Sequence, residues 1–108
     1  MSLSYAWEKF HTAVLTLAGD GNIKERLSNA FIFSIDHIKA SEDIPEDLRE
    51  QFESLCDNLT RIDPVGNEGK VQATVSQMDS FELSKTAEDI VSFYDTICRR
   101  LALEDGYL

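Results

Sequence analysis

The stretch Asp79–Leu103, DSFELSKTAEDIVSFYDTICRRLAL, decides the fold of this chain. Its apolar and aromatic residues recur at steps of three and four, which is the spacing of one face of an α-helix. The residues on this face are Leu83, Ala87, Ile90, Tyr94, Ile97 and Leu101, with Val91 and Cys98 beside them. The stretch therefore predicts a long helix against which the rest of the chain packs.

Three further segments carry apolar stripes with the same helical spacing. They are about Tyr5–Leu17, a segment from Ile23 to Ile38, and a segment from about Pro45 to Ile62. Their predicted core residues are Ala6, Phe10, Ala13, Leu17, Ile23, Leu27, Phe31, Ser34, Ile38, Leu48, Phe52, Leu55, Leu59 and Ile62. Each segment predicts an amphipathic helix with one buried face.

Helix starts are marked by residues that can accept a hydrogen bond from the first free backbone N–H groups. Ser4 is the predicted N-cap of the first helix, because serine is common at that position. Asn22 and Glu25 have the spacing of a capping box, and so do Asp79 and Glu82. These pairs predict the starts of the second and the last long helix.

The segment Gly69–Met78 admits two interpretations. Val71, Ala73 and Val75 alternate as in a strand, whereas Val71, Val75 and Met78 have helical spacing. A single strand would leave its backbone hydrogen-bonding groups unpaired. We therefore favour a short helix, with an extended crossing segment as the alternative.

The sequence as a whole predicts one all-α domain over residues 1–108. The expected architecture is an antiparallel four-helix bundle with a short fifth helical or extended segment between helices three and four. A chain of 108 residues is long enough to bury its own core. No apolar run has the length of a transmembrane helix, and no signal-peptide pattern opens the sequence, so we expect a cytoplasmic protein.

The charge balance limits the possible partners. Twenty acidic residues stand against ten basic ones, for a net charge of −10. Such a field repels nucleic acid and anionic membranes and favours basic partners, so we expect neither nucleic acid nor membrane as a partner. The acidic residues Glu46, Asp47 and Glu50 suit the positive end of a helix dipole and lack the spacing of a calcium loop.

Two patterns in the sequence contain residue types that can bind metal or act in catalysis. Glu8 and His11 form a Glu-x-x-His motif of the kind that holds metal in ferritin-like bundles, but His37 has a serine three residues before it, so a second copy is missing. We expect Glu8 and His11 to be a surface pair. Cys56 and Cys98 have no CxxC spacing and are expected to be small core residues. The sequence contains no nucleophile or phosphate-binding motif, and we expect no enzyme activity, no cofactor and no metal.

A predicted interaction surface lies on the second helix, where Ile32 and Phe33 fall outside the apolar stripe. On a continuous helix, Phe33 would share a stripe with Arg26, Ala30 and His37. The predicted interface residues are Arg26, Ala30, Ile32, Phe33 and His37. In the alternative interpretation, Ile32 and Phe33 pack under residues 64–78 of the same chain.

Two main functions are compatible with these observations, and a third hypothesis, an enzyme or metal protein built on Glu8 and His11, is tested by metal analysis of the purified protein. The first is a non-enzymatic protein-interaction module of the cytosol, either homodimeric or monomeric, that works by binding another protein. The second is an acidic inhibitor or antitoxin-like domain that occupies a basic surface of its partner. Binding through charge weakens steeply with salt, whereas binding centred on an apolar ring does not, so ionic strength separates the two.

Overall fold

The computed structural model describes residues 2–104 and Gly106. These residues form six α-helices and one 3₁₀ turn, with no strand among them. The helices are α1 (Leu3–Leu17), α2 (Ile23–Ile32), α3 (Ala40–Asp43), α4 (Glu46–Leu59), α5 (Lys70–Ser76) and α6 (Ser80–Glu104), and the 3₁₀ turn is Ile35–His37. The all-α prediction is confirmed, and the antiparallel four-helix arrangement stays a prediction. Over the described part of the chain, every helix is too short or too polar to cross a membrane.

Two predicted capping pairs are present. The Asp79 carboxylate accepts a hydrogen bond from the Glu82 N–H at 2.8 Å, and the Glu82 carboxylate accepts one from the Asp79 N–H at 3.2 Å. At the start of α2, the Asn22 side-chain oxygen accepts a hydrogen bond from the Glu25 N–H at 2.9 Å. These bonds satisfy N–H groups that have no partner inside the helix.

The first helix starts earlier than predicted. Ser2 is its N-cap, and the Ser2 hydroxyl accepts a hydrogen bond from the Tyr5 N–H at 3.3 Å. Ser4 therefore lies inside α1 and does not cap it. Both serines stand just before the apolar stripe, so sequence spacing alone did not separate them.

The second helix ends at Ile32, before the predicted end at Ile38. Phe33 is its C-cap, and Ser34, which is buried, leaves the helical region with φ −134° and ψ −70°. The chain then forms the short turn Ile35–His37. This break redirects the backbone while Ile38 still reaches the core.

The ambiguous segment is helical, as favoured, and the extended alternative is wrong. It forms α5 over Lys70–Ser76. The buried Thr74 hydroxyl accepts a hydrogen bond from the Ile62 N–H at 3.0 Å, and the Lys24 ammonium donates one to the Ser76 carbonyl at 2.8 Å. These two bonds hold α5 against the end of α4 and against α2.

Three phenylalanine rings meet at the centre of the core. Phe10 of α1, Phe52 of α4 and Phe93 of α6 have ring centroids 5.2 to 6.1 Å apart. Phe93 was not in the predicted stripe of α6. The buried residues of α6 are Leu83, Thr86, Ile90, Phe93 and Ile97. Val91, which was placed beside the core face, is 45% exposed.

Helices α4 and α6 run in opposite directions. Four contacts show this, because the partner's residue number on α6 falls as the residue number rises along α4 and into the segment that follows it. The contacting pairs are Asp47–Arg100, Phe52–Phe93, Asn58–Thr86 and Arg61–Glu82. The side chains between these contacts border an open cleft.

Candidate interaction site

Phe33 is the most distinctive exposed side chain on the predicted surface. It is 68% exposed, while its neighbours Phe31 and Ile35 are buried. The Phe33 N–H donates a hydrogen bond to the Asn29 carbonyl at 3.0 Å, which closes the last turn of α2. This hydrogen bond and the burial of Phe31 and Ile35 hold the backbone in place, and the Phe33 ring projects from it into solvent.

Two of the predicted interface residues lie elsewhere. Ala30 is 0% exposed and belongs to the core, so it is not part of the exposed surface. Arg26 is half-buried, and its guanidinium donates a hydrogen bond to the Leu17 carbonyl at 2.7 Å. This bond satisfies a free carbonyl in the last turn of α1, so Arg26 has a structural role.

Three of the predicted residues remain at the surface. Phe33 and His37 are exposed, and Ile32 is half-buried against the core. His37 is not on the same helical stripe as Phe33, because α2 ends before it. The alternative in which Phe33 packs under residues 64–78 is wrong, since the ring is exposed. We refer to Ile32, Phe33 and His37 as the Phe33 surface.

A second feature is a cleft of about 790 Å³ between α4 and α6. One wall is a polar row on α4 that includes Asp47, Glu50 and Asn58. Sequence reasoning missed this cleft, because Asp47 and Glu50 were explained by the helix dipole alone. Their position opposite α6 depends on how the two helices pack, and a single sequence does not show that packing.

The opposite wall of the cleft comes from α6. It includes Lys85, Asp89 and Ser92, and the cleft is closed below by Leu55 and Phe93, which are both buried. Lys85 and Asp89 form an ion pair at 2.7 Å. The hydrogen bond that Lys85 donates to the Asp89 carboxylate raises the pKa of Lys85 above its ordinary value.

An ion pair closes one end of the cleft. Arg100 donates two hydrogen bonds to the Asp47 carboxylate, at 3.2 and 2.7 Å. These hydrogen bonds, which Asp47 accepts, lower the pKa of Asp47 below its ordinary value. They also raise the pKa of Arg100. Such a two-point contact fixes the orientation of both side chains.

A smaller apolar groove of about 410 Å³ lies where the turn between α1 and α2 meets α6. Leu17, Ile23 and Val91 line it, and the acidic residues Glu88 and Asp95 stand at its border. The exposure of Val91 places this groove at the surface. Here too, the groove depends on tertiary packing that the periodicity of α6 does not reveal.

The Glu8 and His11 motif does not form a simple surface pair. His11 is half-buried, stacks on Trp7 with ring centroids 4.9 Å apart, and its Nδ1 shares a hydrogen bond of 3.1 Å with the Tyr94 hydroxyl. Glu8 is exposed. Within residues 2–104 and Gly106, no group of three or more His, Cys, Asp or Glu side chains is arranged to hold a metal ion. His11 thus joins α1 to α6.

Both cysteines are free thiols and half-buried. Burial raises the pKa of Cys56 to about 12, and the nearby carboxylates of Asp36, Asp57 and Glu53 add to the effect. A thiol that keeps its proton is a poor nucleophile and a poor metal ligand. Cys56 packs against the core, as expected of a small apolar residue.

Three surface features therefore stand out on the described part of the chain. They are the Phe33 surface, the α4–α6 cleft and the apolar groove beside Val91. Comparisons with protein families, with curated proteins and with solved structures found no match to this chain.

Proposed function

We propose that this chain is a non-enzymatic protein-interaction module that binds a partner protein through the Phe33 surface. The observation that carries the proposal is the Phe33 ring, which is 68% exposed at a well-fixed helix end. Aromatic side chains are enriched at the cores of protein interfaces. Burying such a ring contributes about 1.5–3 kcal/mol, and this contribution is available to a partner.

The charge of the chain favours a different protein over a second copy as the partner. Each copy carries a net charge of −10, so two copies repel each other at low ionic strength. Asp36 is exposed beside the Phe33 surface and adds to this local negative charge. We infer a partner that offers an apolar pocket with basic residues around it, and self-association is one outcome of the test.

The proposal includes a supporting framework and a compartment. The longer helices α1, α2, α4 and α6 would form an antiparallel bundle, in support of which we note the opposite directions of α4 and α6. A cytoplasmic location is in keeping with the free thiols of Cys56 and Cys98, because reducing compartments keep cysteines unpaired.

A second candidate function is an acidic inhibitor or antitoxin-like domain. The observation that favours it is the net charge of −10, to which Glu50 in the α4–α6 cleft contributes beside the Asp47–Arg100 and Lys85–Asp89 ion pairs. Binding of this kind would weaken steeply as salt rises, whereas binding centred on Phe33 would change little. Affinity capture at low and high salt therefore ranks the two candidates.

The test compares Phe33→Asp with Phe81→Asp as bait variants in capture from a lysate of the source cells. Phe81 is 76% exposed on α6, so the control variant makes the same chemical change away from the Phe33 surface. We expect both variants to keep their stability within about 0.5 kcal/mol, because both rings are exposed. The protein retained by the unmodified chain should be lost with Phe33→Asp and kept with Phe81→Asp.

Three results would overturn the proposal. The first is equal capture by both variants, and the second is global unfolding of Phe33→Asp, which would place the ring in the core. The third is a dimer of the unmodified chain in light scattering that Phe33→Asp converts to a monomer, because the partner would then be a second copy.

A further inference from the structure

Exposed carboxylates from two elements lie close together next to the Phe33 surface. Asp36 follows Phe33 by three residues and belongs to the 3₁₀ turn. Glu53 and Asp57 stand four residues apart on α4, a spacing that places both side chains on one face of the helix. The charges of all three carboxylates raise the pKa of the Cys56 thiol, so the three groups lie near that thiol. Asp36 therefore links the Phe33 surface to α4.

The charges of these three carboxylates are available to a partner. In the part of the chain that the structure describes, residues 2–104 and Gly106, none of the three forms an ion pair. Lys39 is the lysine or arginine nearest to Asp36 in the sequence, and it binds Glu42 at 3.7 Å. A basic group of a partner would therefore meet these carboxylates without competing against a base of this chain.

The ring and the carboxylates together define the chemistry of the occupant. The Phe33 ring is 68% exposed, and an apolar pocket would remove most of this surface from water. Charges at the edge of a contact select a partner with opposite charges, because like charges across an interface are strongly unfavourable. The fitting occupant is thus apolar where it meets the ring and basic where it meets α4.

We propose that the docking surface extends from the Phe33 surface onto α4, and that the partner meets it with an apolar pocket rimmed by arginine or lysine side chains. The rim lies opposite Asp36, Glu53 and Asp57. This inference rests on the proposed function, because it names the chemistry of the partner at the same surface. Salt screens the contacts of the rim and leaves the contact of the ring, so binding has a charged and an uncharged component.

Two ring-shaped sugars reproduce such a pocket with and without its charge. β-Cyclodextrin has an apolar cavity that encloses a phenyl ring, and its guanidinium-substituted form carries charged groups around one rim of the same cavity. Guanidinium groups stay charged at neutral pH. Each host is titrated into the full chain, and NMR of the Phe33 and Phe81 ring signals measures the affinity at each ring separately.

Phe81 is the matched control within the same molecule. It is 76% exposed on α6, and the adjacent Glu82 is bound by Arg61 at 3.0 Å. The net charge of the chain acts on both rings. We expect the gain in affinity from the neutral to the charged host to be about fivefold larger at Phe33 than at Phe81 at low salt. This difference should shrink as salt rises, while binding of the neutral host should change little.

Two double variants separate the carboxylates of α4 from the overall charge. Glu53→Gln with Asp57→Asn removes two exposed carboxylates of the docking surface, and Glu8→Gln with Asp20→Asn removes two exposed carboxylates elsewhere. Both double variants lower the net charge equally. We expect the α4 variant to reduce the fivefold difference between the rings to about twofold and the control to preserve it.

Equal gains at Phe33 and Phe81, or equal effects of the two double variants, would overturn this inference. The proposed function is decided by a different measurement. Loss of lysate capture with Phe33→Asp, combined with equal gains at the two rings, would keep the Phe33 surface as the binding site and reject the basic rim. Equal capture by Phe33→Asp and Phe81→Asp would overturn the proposed function whatever the two hosts show.

Discussion

The rings of Phe10 and Phe93 lie 5.2 Å apart and are inclined by 47°, which joins α1 to α6 at the centre of the core. Both side chains are essentially inaccessible to solvent. Aromatic pairs in tilted or offset arrangements at this distance are more favourable than face-to-face sandwiches and add to the effect of apolar burial. Phe52 contacts both rings, so three helices depend on one aromatic cluster.

Removal of the Phe93 ring should have a large effect on stability. We expect Phe93→Ala to lower the free energy of unfolding by about 3–5 kcal/mol, because it removes apolar contacts and leaves a cavity. Urea denaturation followed by circular dichroism measures the change. The control is Phe81→Ala on the same helix, which should change stability by about 0.5 kcal/mol or less, since Phe81 is exposed. A small effect of Phe93→Ala would contradict the central position of this ring.

The pairing of Asp47 with Arg100 should be visible in the titration of the Asp47 carboxyl group. The hydrogen bonds from Arg100 lower the pKa of Asp47 in the folded chain. Arg100→Gln should return this pKa towards its ordinary value, as measured by NMR of the carboxyl carbon over a range of acidic pH. Arg99→Gln is the matched control, because Arg99 binds Asp95 at 2.9 Å and should leave Asp47 unchanged.

The sign of the pH effect follows from this lowered pKa. Above the unfolded-state pKa, Asp47 is charged in both states, and the ion pair contributes its full stabilisation. As pH falls through the lower folded-state pKa, Asp47 takes up a proton and the contribution is lost. The stability difference between the unmodified chain and Arg100→Gln should therefore shrink in acid, and a difference that grows in acid would contradict the pairing.

Cys56 should remain a neutral thiol well into the alkaline range. Its pKa is raised from 9.0 to about 12 in the folded chain, mainly by burial. A Cys98→Ser variant leaves Cys56 as the single thiol. NMR of isotope-labelled cysteine should then show ionisation of Cys56 far above the ordinary thiol range, and the same variant in urea should titrate near the ordinary value.

The raised pKa of Cys56 should make the folded chain less stable as the pH rises above the ordinary pKa of a thiol. Between pH values of about 9 and about 12, the thiol of Cys56 has lost its proton in the unfolded chain but keeps it in the folded chain. Folding therefore takes up a proton, and the free energy of unfolding falls as pH rises. Cys56→Ser should remove this part of the alkaline loss. Identical alkaline profiles for the unmodified chain and Cys56→Ser would show that the thiol is not held neutral by folding.

Helical periodicity predicted the positions of the helices more accurately than it predicted the buried face of each helix. On α6, the predicted stripe includes Ala87 and Tyr94, whereas the buried face includes Thr86 and Phe93. The two stripes are neighbours on the same helix and both have helical spacing. Thr86 is polar, and this made the buried stripe less apparent in the sequence. Inside the fold, its hydroxyl accepts a hydrogen bond from the Asn58 side-chain amide at 3.1 Å.

The surfaces were predicted only in part for a similar reason. Phe33 was correctly placed outside the apolar stripe of its helix, but the early end of α2 was not predicted. Neither glycine nor proline stands between Ile32 and Ile38 to indicate a break. The conformation of Ser34 depends on burial of the following residues, and the α4–α6 cleft depends on the pairing of two distant helices. Both are tertiary effects that local spacing does not contain.

The aromatic cluster of Phe10, Phe52 and Phe93 also determines when folding can finish. Its three rings come from helices far apart in the chain, so closing the cluster requires long loops to lose conformational entropy before the contact is made. During synthesis, α1 and α4 leave the ribosome before α6. Until α6 has been synthesised, the apolar faces of α1 and α4 lack one of their packing partners, and exposed apolar surface of this kind favours aggregation.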